Sequence, residues 1–334
     1  MNASAIALKP GTGAAPVVSG AFLRAYVVTM RPYLLFMSGI TGLVGLALAP
    51  QISVGWTLLF GAAFFGAYGF GQALTDCFQM DTDQLSSPYR PLVRGAIRRQ
   101  DVLWVSLAAL AGTGALLVIH QPWNLLLAAL GVVGLVTYTP FKRRWWGGPF
   151  YNAWIVVVLC LMGYLSGVGT AGASVQWTPL LARTLLTVLF GYANFVLTGY
   201  FKDVSADRAT GYRTLVVVAG FRTAARVSDV LAGLTLASAA SAWWCAAVNV
   251  PHVSWTAVLF GLAGVGATLV AQLQLHAVRE EAESHHAIAL VVHAYQLLLS
   301  GIAVLLRPAW ALPLVLFYLG FVIVLRARPA RDQI

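Results

Sequence analysis

The chain has 334 residues, 59% of them hydrophobic and only 10% charged, with a mean hydropathy of +0.79 and a net charge of +10. A water-soluble domain carries about 25% charged residues, so this composition excludes one. It also excludes nucleic-acid binding, because no segment is polar and basic enough to form a solvated binding face. The three cysteines, Cys77, Cys160 and Cys245, lie far apart, mostly in apolar runs, without metal-ligand spacing.

Residues 1–24 read as a disordered tail, rich in Ala, Gly, Ser and Pro, with no apolar core long enough for a signal peptide. Apolar runs of about 17–25 residues are candidate transmembrane helices. The first two fall at 33–49 and 56–74, and the second leads into an acidic run, Thr75-Asp76-Cys77-Phe78-Gln79-Met80-Asp81-Thr82-Asp83. On a regular helix, at about 100° per residue, Asp76, Gln79 and Asp83 share a sector roughly 60° wide, while Asp81 points elsewhere. Tyr89-Arg90-Pro91-Leu92-Val93-Arg94-Gly95 follows. Candidate spans at 102–119 and 123–139 then lead to Tyr138 and to Lys142 at the end of the fourth helix.

The next spans are 150–168, which carries Asn152, and 178–200, which carries Tyr192, Asn194 and Tyr200. An amide in an apolar helix tends to face the bundle interior, so Asn152 and Asn194 are candidate pocket residues. Tyr138, Tyr192, Tyr200 and Phe78, near helix ends, are candidate aromatic lining. A second acidic run follows, Lys202-Asp203-Val204-Ser205-Ala206-Asp207-Arg208, in which Asp203 and Asp207 are spaced i, i+4 and stack on one helix face. Spans at 227–248, 254–275 and 287–306 complete nine helices, and 309–325 is a candidate tenth. His285 and His286 sit in a solvated mixed-charge loop, and His293 lies within the following helix. The fold class is therefore all-α: a polytopic bundle, residues 25–326, with a short charged tail at 327–334.

The loops between these spans alternate between nearly uncharged and strongly charged. Of 21 Lys and Arg, only Arg183 and Arg307 fall on the uncharged side. By the positive-inside rule the N-terminus and both acidic runs face the cytoplasm, and a bacterial cytoplasmic membrane is the expected location. Arg98, Arg99, Arg143, Arg144, Arg222 and Arg226 read as topology determinants. Arg90, Lys142 and Lys202 lie at the depth of the carboxylates, where they can grip an anion. Carboxylates clustered at a membrane edge among basic residues suit a divalent metal that carries a phosphorylated ligand.

These residues resemble a known family. Asp76-x2-Gln79-x3-Asp83, followed by Ser87-Pro88-Tyr89-Arg90-Pro91 and Gly95-Ala96-Ile97, is similar to the first signature of the UbiA superfamily of intramembrane prenyltransferases. Tyr138-Thr139-Pro140-Phe141-Lys142-Arg143 resembles its Y-[ST]-P-x-K-R segment. Phe201-Lys202-Asp203-x3-Asp207-Arg208-Ala209-x-Gly211 resembles its second acidic motif. The first motif is nearest the chlorophyll-synthase-like branch, which does not assign the acceptor.

The resemblance implies a bundle of nine helices around a central cavity capped by cytoplasmic loops. It implies Mg²⁺-dependent transfer of an isoprenyl group from an isoprenyl diphosphate to a hydrophobic acceptor, aromatic or quinone-type, with release of diphosphate. By matching position, Asp76, Gln79, Asp83, Asp203 and Asp207 are the expected metal ligands. Lys142 and Arg90 become expected diphosphate contacts, with Lys202, Arg208, Tyr138, Tyr200, Asn152 and Asn194 as further substrate-binding candidates. Two departures stand out: the family's Asn is Thr75 here, and its second Asp is Gln79, which keeps a carbonyl oxygen but removes a negative charge. Two alternatives stay open at this point: a terpene cyclase on the same scaffold, and an ion- or lipid-binding transporter. The expected partners are the two substrates and the lipid bilayer; oligomeric state is not determined by these features.

Overall fold

A computed structural model of the protein describes residues 13–327. The described part is helical, with no strand. Its helices are α1 (Gly20–Thr29), α2 (Leu35–Leu48), α3 (Val54–Asp76), α4 (Met80–Ser86), α5 (Arg99–Val118), α6 (Trp123–Lys142) and α7 (Gly148–Thr170). They continue with α8 (Pro179–Gly199), α9 (Val204–Ala209), α10 (Leu215–Ala247), α11 (Trp255–Ala277), α12 (His285–Leu306) and α13 (Ala311–Arg326). Among the described residues nine helices are long and apolar enough to cross a membrane. A tenth crossing exists if α1 and Pro32–Leu48, bent by 54° at their junction, are taken as one span. The protein is thus a polytopic integral membrane protein.

Local chemistry sets the helix starts. Ser53, Thr178 and Ser254 cap α3, α8 and α11, each accepting a backbone N–H of the first turn through its side-chain oxygen. Pro179 occupies the first turn of α8, where its missing N–H costs nothing. Lipid-facing helices such as α5 and α11 bury only 22% and 28% of their most apolar windows, whereas 89% of that of α12 is buried. α12 is the central post, packed against α2, α8, α10 and α11.

Close backbone approach joins α2 to α7. A Cβ on Gly45 would stand 2.1 Å from the Cys160 carbonyl oxygen, and one on Gly163 would stand 2.4 Å from that of Gly42. Small residues of this kind let membrane helices pack where no hydrophobic effect drives them together. On the outside, α13 is held by Phe36, Phe65, Phe317 and Phe321, whose rings meet edge to face or tilted.

The structure amends the expected elements in several places. Residues 1–12 and 328–334 lie outside the described residues, and with them half of the tail expected at 1–24 and nearly all of 327–334. The rest of the first tail is ordered into structure: the Ala15 N–H donates to the Ala96 carbonyl, and α1 starts at Gly20 behind a Ser19 cap. The seventh helix begins at Leu215 rather than near 227, with a kink at Gly220, whose φ of 77° lies in the left-handed region. Arg222 and Arg226 interrupt the apolar run there and mask the helix.

Candidate active site

The helix carrying the first acidic run does not continue through it. After Asp76 the chain tightens into i→i+3 bonds, Cys77 N to Leu74 O, Phe78 N to Thr75 O and Gln79 N to Asp76 O, and Gln79 leaves helical dihedrals. α4 then restarts at Met80. The single face expected for Asp76, Gln79 and Asp83 therefore does not exist, because it assumed an unbroken helix. Asp76 and Asp83 are joined through a shared cation, Arg90, instead, while Gln79 turns to Lys142.

Arg31 is the first of these partners. It sits at the α1–α2 bend with φ 54° and ψ 74°, in the left-handed region that non-glycine residues rarely adopt. Its Nη2 donates to both oxygens of Asp76, at 2.9 and 3.1 Å. Gln72, one turn before Asp76 on α3, donates to the same carboxylate at 2.6 Å. Arg90 lies 2.5 Å from Asp83 and 3.9 Å from Asp76, bridging the end of α3 and α4. Lys142, at the last residue of α6 and 5% exposed, donates to Gln79 Oε1 at 3.3 Å and lies 3.6 Å from Asp207. It also sits over the rings of Tyr200 and Tyr212, 5.7 and 5.1 Å from their centroids.

The second run keeps its i, i+4 geometry. Asp203 occupies the position just before α9 without a side-chain capping bond, and the Asp207 N–H donates to the Asp203 carbonyl at 2.8 Å. Asp203 lies 3.9 Å from Lys202 Nζ. Asp207 is fully buried; its Oδ2 accepts from Thr214 at 3.3 Å, and its Oδ1 has no hydrogen-bond partner. The two carboxylates titrate in opposite directions. Burial, aided by the Asp203 charge, pushes Asp207 up to about 6 against the pull of Lys142 and Thr214. Burial acts on Asp203 too, but the summed attraction of Lys202, Lys142, Arg90 and Arg31 outweighs it and holds the carboxyl below its usual range.

These groups form the polar end of a cavity of about 230 Å³. Arg31, Gln72, Gln79, Asp83, Arg90, Lys142, Lys202 and Asp203 line that end. Tyr68, Tyr138, Asn152, Tyr192, Phe195 and Tyr200 form a belt beyond it, with the Tyr138 and Tyr200 hydroxyls 2.8 Å apart. The cavity then runs between α3, α5, α6 and α7 over Leu110, Gly114, Leu117, Leu127, Gly131 and Met162. Along α6 its lining extends from Lys142 to Leu127, about 22 Å at the 1.5 Å rise of a helix.

Among the other expected site residues, Asp76 and Asp207 stand just behind the lining, where Asp76 holds Arg31 and Asp207 Oδ1 lies 3.6 Å from Lys142. Asn194 lies apart from the cavity: it accepts from Ser228 at 2.6 Å and lines a small separate cleft with Thr235, Thr268 and Gln272. It serves the interhelical hydrogen bonding of α8 and α10. Arg208 is exposed on the outer side of α9 and is not among the lining residues. Asp81 pairs with Arg143 at 2.9 Å and accepts from Tyr212 at 3.3 Å, outside the cavity. Arg31, Gln72 and Tyr68 were missed from the sequence. Arg31 is followed by Pro32 at the head of an apolar run, and that isolated Arg-Pro pair was the available signal.

A sequence profile for the UbiA prenyltransferase family matches residues 38–289. A digeranylgeranylglyceryl phosphate synthase from Thermococcus kodakarensis is 31% identical over 64% of this chain and 75% of its own length. A chloroplastic chlorophyll synthase from Oryza sativa subsp. japonica is 30% identical over 47% of this chain and 43% of its own. Two solved structures share the fold. The apo UbiA homolog from Aeropyrum pernix K1 aligns with a TM-score of 0.68 at 19% identity, covering 81% of this chain and 97% of that one. The UbiA homolog from Archaeoglobus fulgidus bound to DMAPP and Mg²⁺ aligns with 0.59 at 17% identity, covering 84% and 99%.

Proposed function

The chain belongs to the UbiA prenyltransferase family, and we propose that it transfers an isoprenyl group from an isoprenyl diphosphate to a hydrophobic acceptor of aromatic or quinone type. The observation that carries this reading is the polarity of the cavity. One end gathers Arg31, Arg90, Lys142 and Lys202, and beyond it the cavity, about 22 Å long in all along α6, turns aromatic and then aliphatic, which suits a diphosphate head and an isoprenoid tail.

Residue roles follow from position. Arg31 and Arg90 present guanidinium forks held in place by Asp76 and Asp83, and Lys142 and Lys202 present point charges from the other side. Together they neutralise the leaving group as the allylic C1–O bond breaks and its electron pair stays on the diphosphate oxygen. The tyrosine belt offers π-faces to the allylic cation. The apolar wall excludes water that would otherwise capture that cation as an alcohol. An electron pair of the acceptor then forms the new bond to C1, and the acceptor's displaced proton passes to the released diphosphate.

Magnesium fits the second motif, where the buried Asp207 Oδ1 is an oxygen without a hydrogen-bond partner and Asp203 shares the same helix turn. Held by Asp203 and Asp207, the ion would supply Lewis-acid neutralisation of the leaving group. The homolog from Archaeoglobus fulgidus was solved with DMAPP or GPP and Mg²⁺.

The aromatic belt of Tyr68, Tyr138, Tyr192, Phe195 and Tyr200 beyond the charged end supports a hydrophobic acceptor. The relatives' product names, digeranylgeranylglyceryl phosphate and chlorophyll, differ in acceptor chemistry. Orientation follows from the positive-inside rule, with the motif end in the cytoplasm. The relatives named above come from archaea and a plant, and they lend no support to a bacterial membrane in particular.

The protein in lipid, supplied with Mg²⁺ and a labelled isoprenyl diphosphate, tests this reading by product analysis. Prenylated product is expected with an aromatic or quinone acceptor. Product formed only with a glyceryl phosphate acceptor would overturn the acceptor class, and a hydrocarbon formed without acceptor would indicate cyclisation instead.

A further inference from the structure

We infer that the first acidic motif of this chain holds no magnesium of its own but acts as a carboxylate platform that aims Arg31 and Arg90 directly at the diphosphate, leaving metal binding to Asp203 and Asp207. The inference rests on the prenyl diphosphate reading above.

The oxygen atoms of the first motif are already engaged. Both oxygens of Asp76 accept from Arg31, at 2.9 and 3.1 Å, and Gln72 adds a third bond at 2.6 Å. Asp83 lies 2.5 Å from Arg90. The remaining position is Gln79, a neutral amide whose Oε1 accepts from Lys142 at 3.3 Å. Two carboxylates facing two guanidiniums sum to zero charge, and Lys142 stands beside Gln79, the third residue of the motif. A divalent cation placed there would have to compete with two guanidiniums already paired to both carboxylates, with only a neutral amide as the remaining ligand of the motif. The bidentate hold on Asp76 also uses a left-handed backbone at Arg31, a conformation that persists only where its surroundings enforce it.

The second motif has the opposite character. Its nearest cations stand beyond hydrogen-bond length, Lys142 at 3.6 Å from Asp207 and Lys202 at 3.9 Å from Asp203. Asp207 Oδ1 is buried without a hydrogen-bond partner. Magnesium commonly takes one or two protein carboxylates and completes its shell with water and phosphate oxygens, which matches this pair. Gln79 is therefore the residue that separates the two motifs: it removes the charge that a metal at the first motif would need.

The test counts metal ions rather than turnover. Full-length protein in lipid nanodiscs is titrated with Mn²⁺, read by electron paramagnetic resonance, in the presence of a non-ionising prenyl thiolodiphosphate. Wild type should bind one Mn²⁺ per chain, and Gln79→Asp should bind two. Arg31→Lys, which keeps the charge but loses the fork, should leave the metal count at one and weaken analogue binding at least tenfold. Two Mn²⁺ on the wild type, or none, would overturn the inference. A Gln79→Asp count that stays at one, or Arg31→Lys with undiminished analogue affinity, would contradict the roles assigned to those residues. Analogue that fails to bind wild type at any metal concentration would remove the prenyl diphosphate reading itself.

Discussion

Single residues decide what this cavity admits. Gly131 lines the channel on α6, and a Cβ there would meet nothing within 4 Å. Gly131→Phe should fill that space at little cost to folding and shorten the tail that fits. Competition between short and long isoprenyl diphosphates should then shift at least tenfold toward the short substrate, and an unchanged preference would show that the tail takes another path. Arg31 illustrates what one residue's chemistry conceals. Its carboxylate partner lies 45 positions away, so no local spacing announces the pair. Asp76, Asp83, Asp203 and Asp207 are different, because a carboxylate beside an apolar run is conspicuous in a chain that is only 10% charged.

At the scale of elements, helix existence was legible and helix continuity was not. The apolar runs mark membrane helices because lipid tolerates no unpaired backbone, so length and hydropathy nearly suffice. The break at Cys77–Phe78–Gln79 contains no glycine or proline, and a periodicity argument reads straight through it. The cap that results is tied together across three loops. Asp81, after the break, accepts from Arg143 at the end of α6 and from Tyr212 beyond α9, and Thr82 and Thr210 meet at 3.3 Å. On the far side of α9, Ser205 donates to Glu281 from the α11–α12 connection at 2.8 Å. Asp81 thus closes the cap rather than lining the cavity. The α2–α7 contact gives a prediction at this scale. Gly163→Leu forces a side chain against the Gly42 carbonyl, and overpacking of that kind costs about 1–3 kcal/mol or more. A lowered midpoint of thermal unfolding in detergent should follow, whereas Gly131→Phe should unfold near wild type; equal midpoints for Gly163→Leu and wild type would refute the close approach.

For the whole molecule, one end of a helical bundle carries the charge and the remainder is apolar, both around the cavity and on the outer face. The buried α12 post and the outer helices with exposed apolar faces keep the cavity walls apart from water. The charged cap then concentrates four carboxylates and four cations at the mouth. That division was legible from composition and loop charge alone. The pairing within the mouth was not, since it depends on where α1, α3, α6 and α9 end relative to one another. The most direct test of the account measures diphosphate release from a labelled isoprenyl diphosphate by the protein in lipid, with acceptor, with and without Mg²⁺, for wild type and Asp207→Ala. The account predicts release that requires Mg²⁺ and falls about 100-fold or more in the variant, as expected when a preorganised electrostatic group is lost. Release by Asp207→Ala at the wild-type rate, or none from wild type with any tail length, would contradict it.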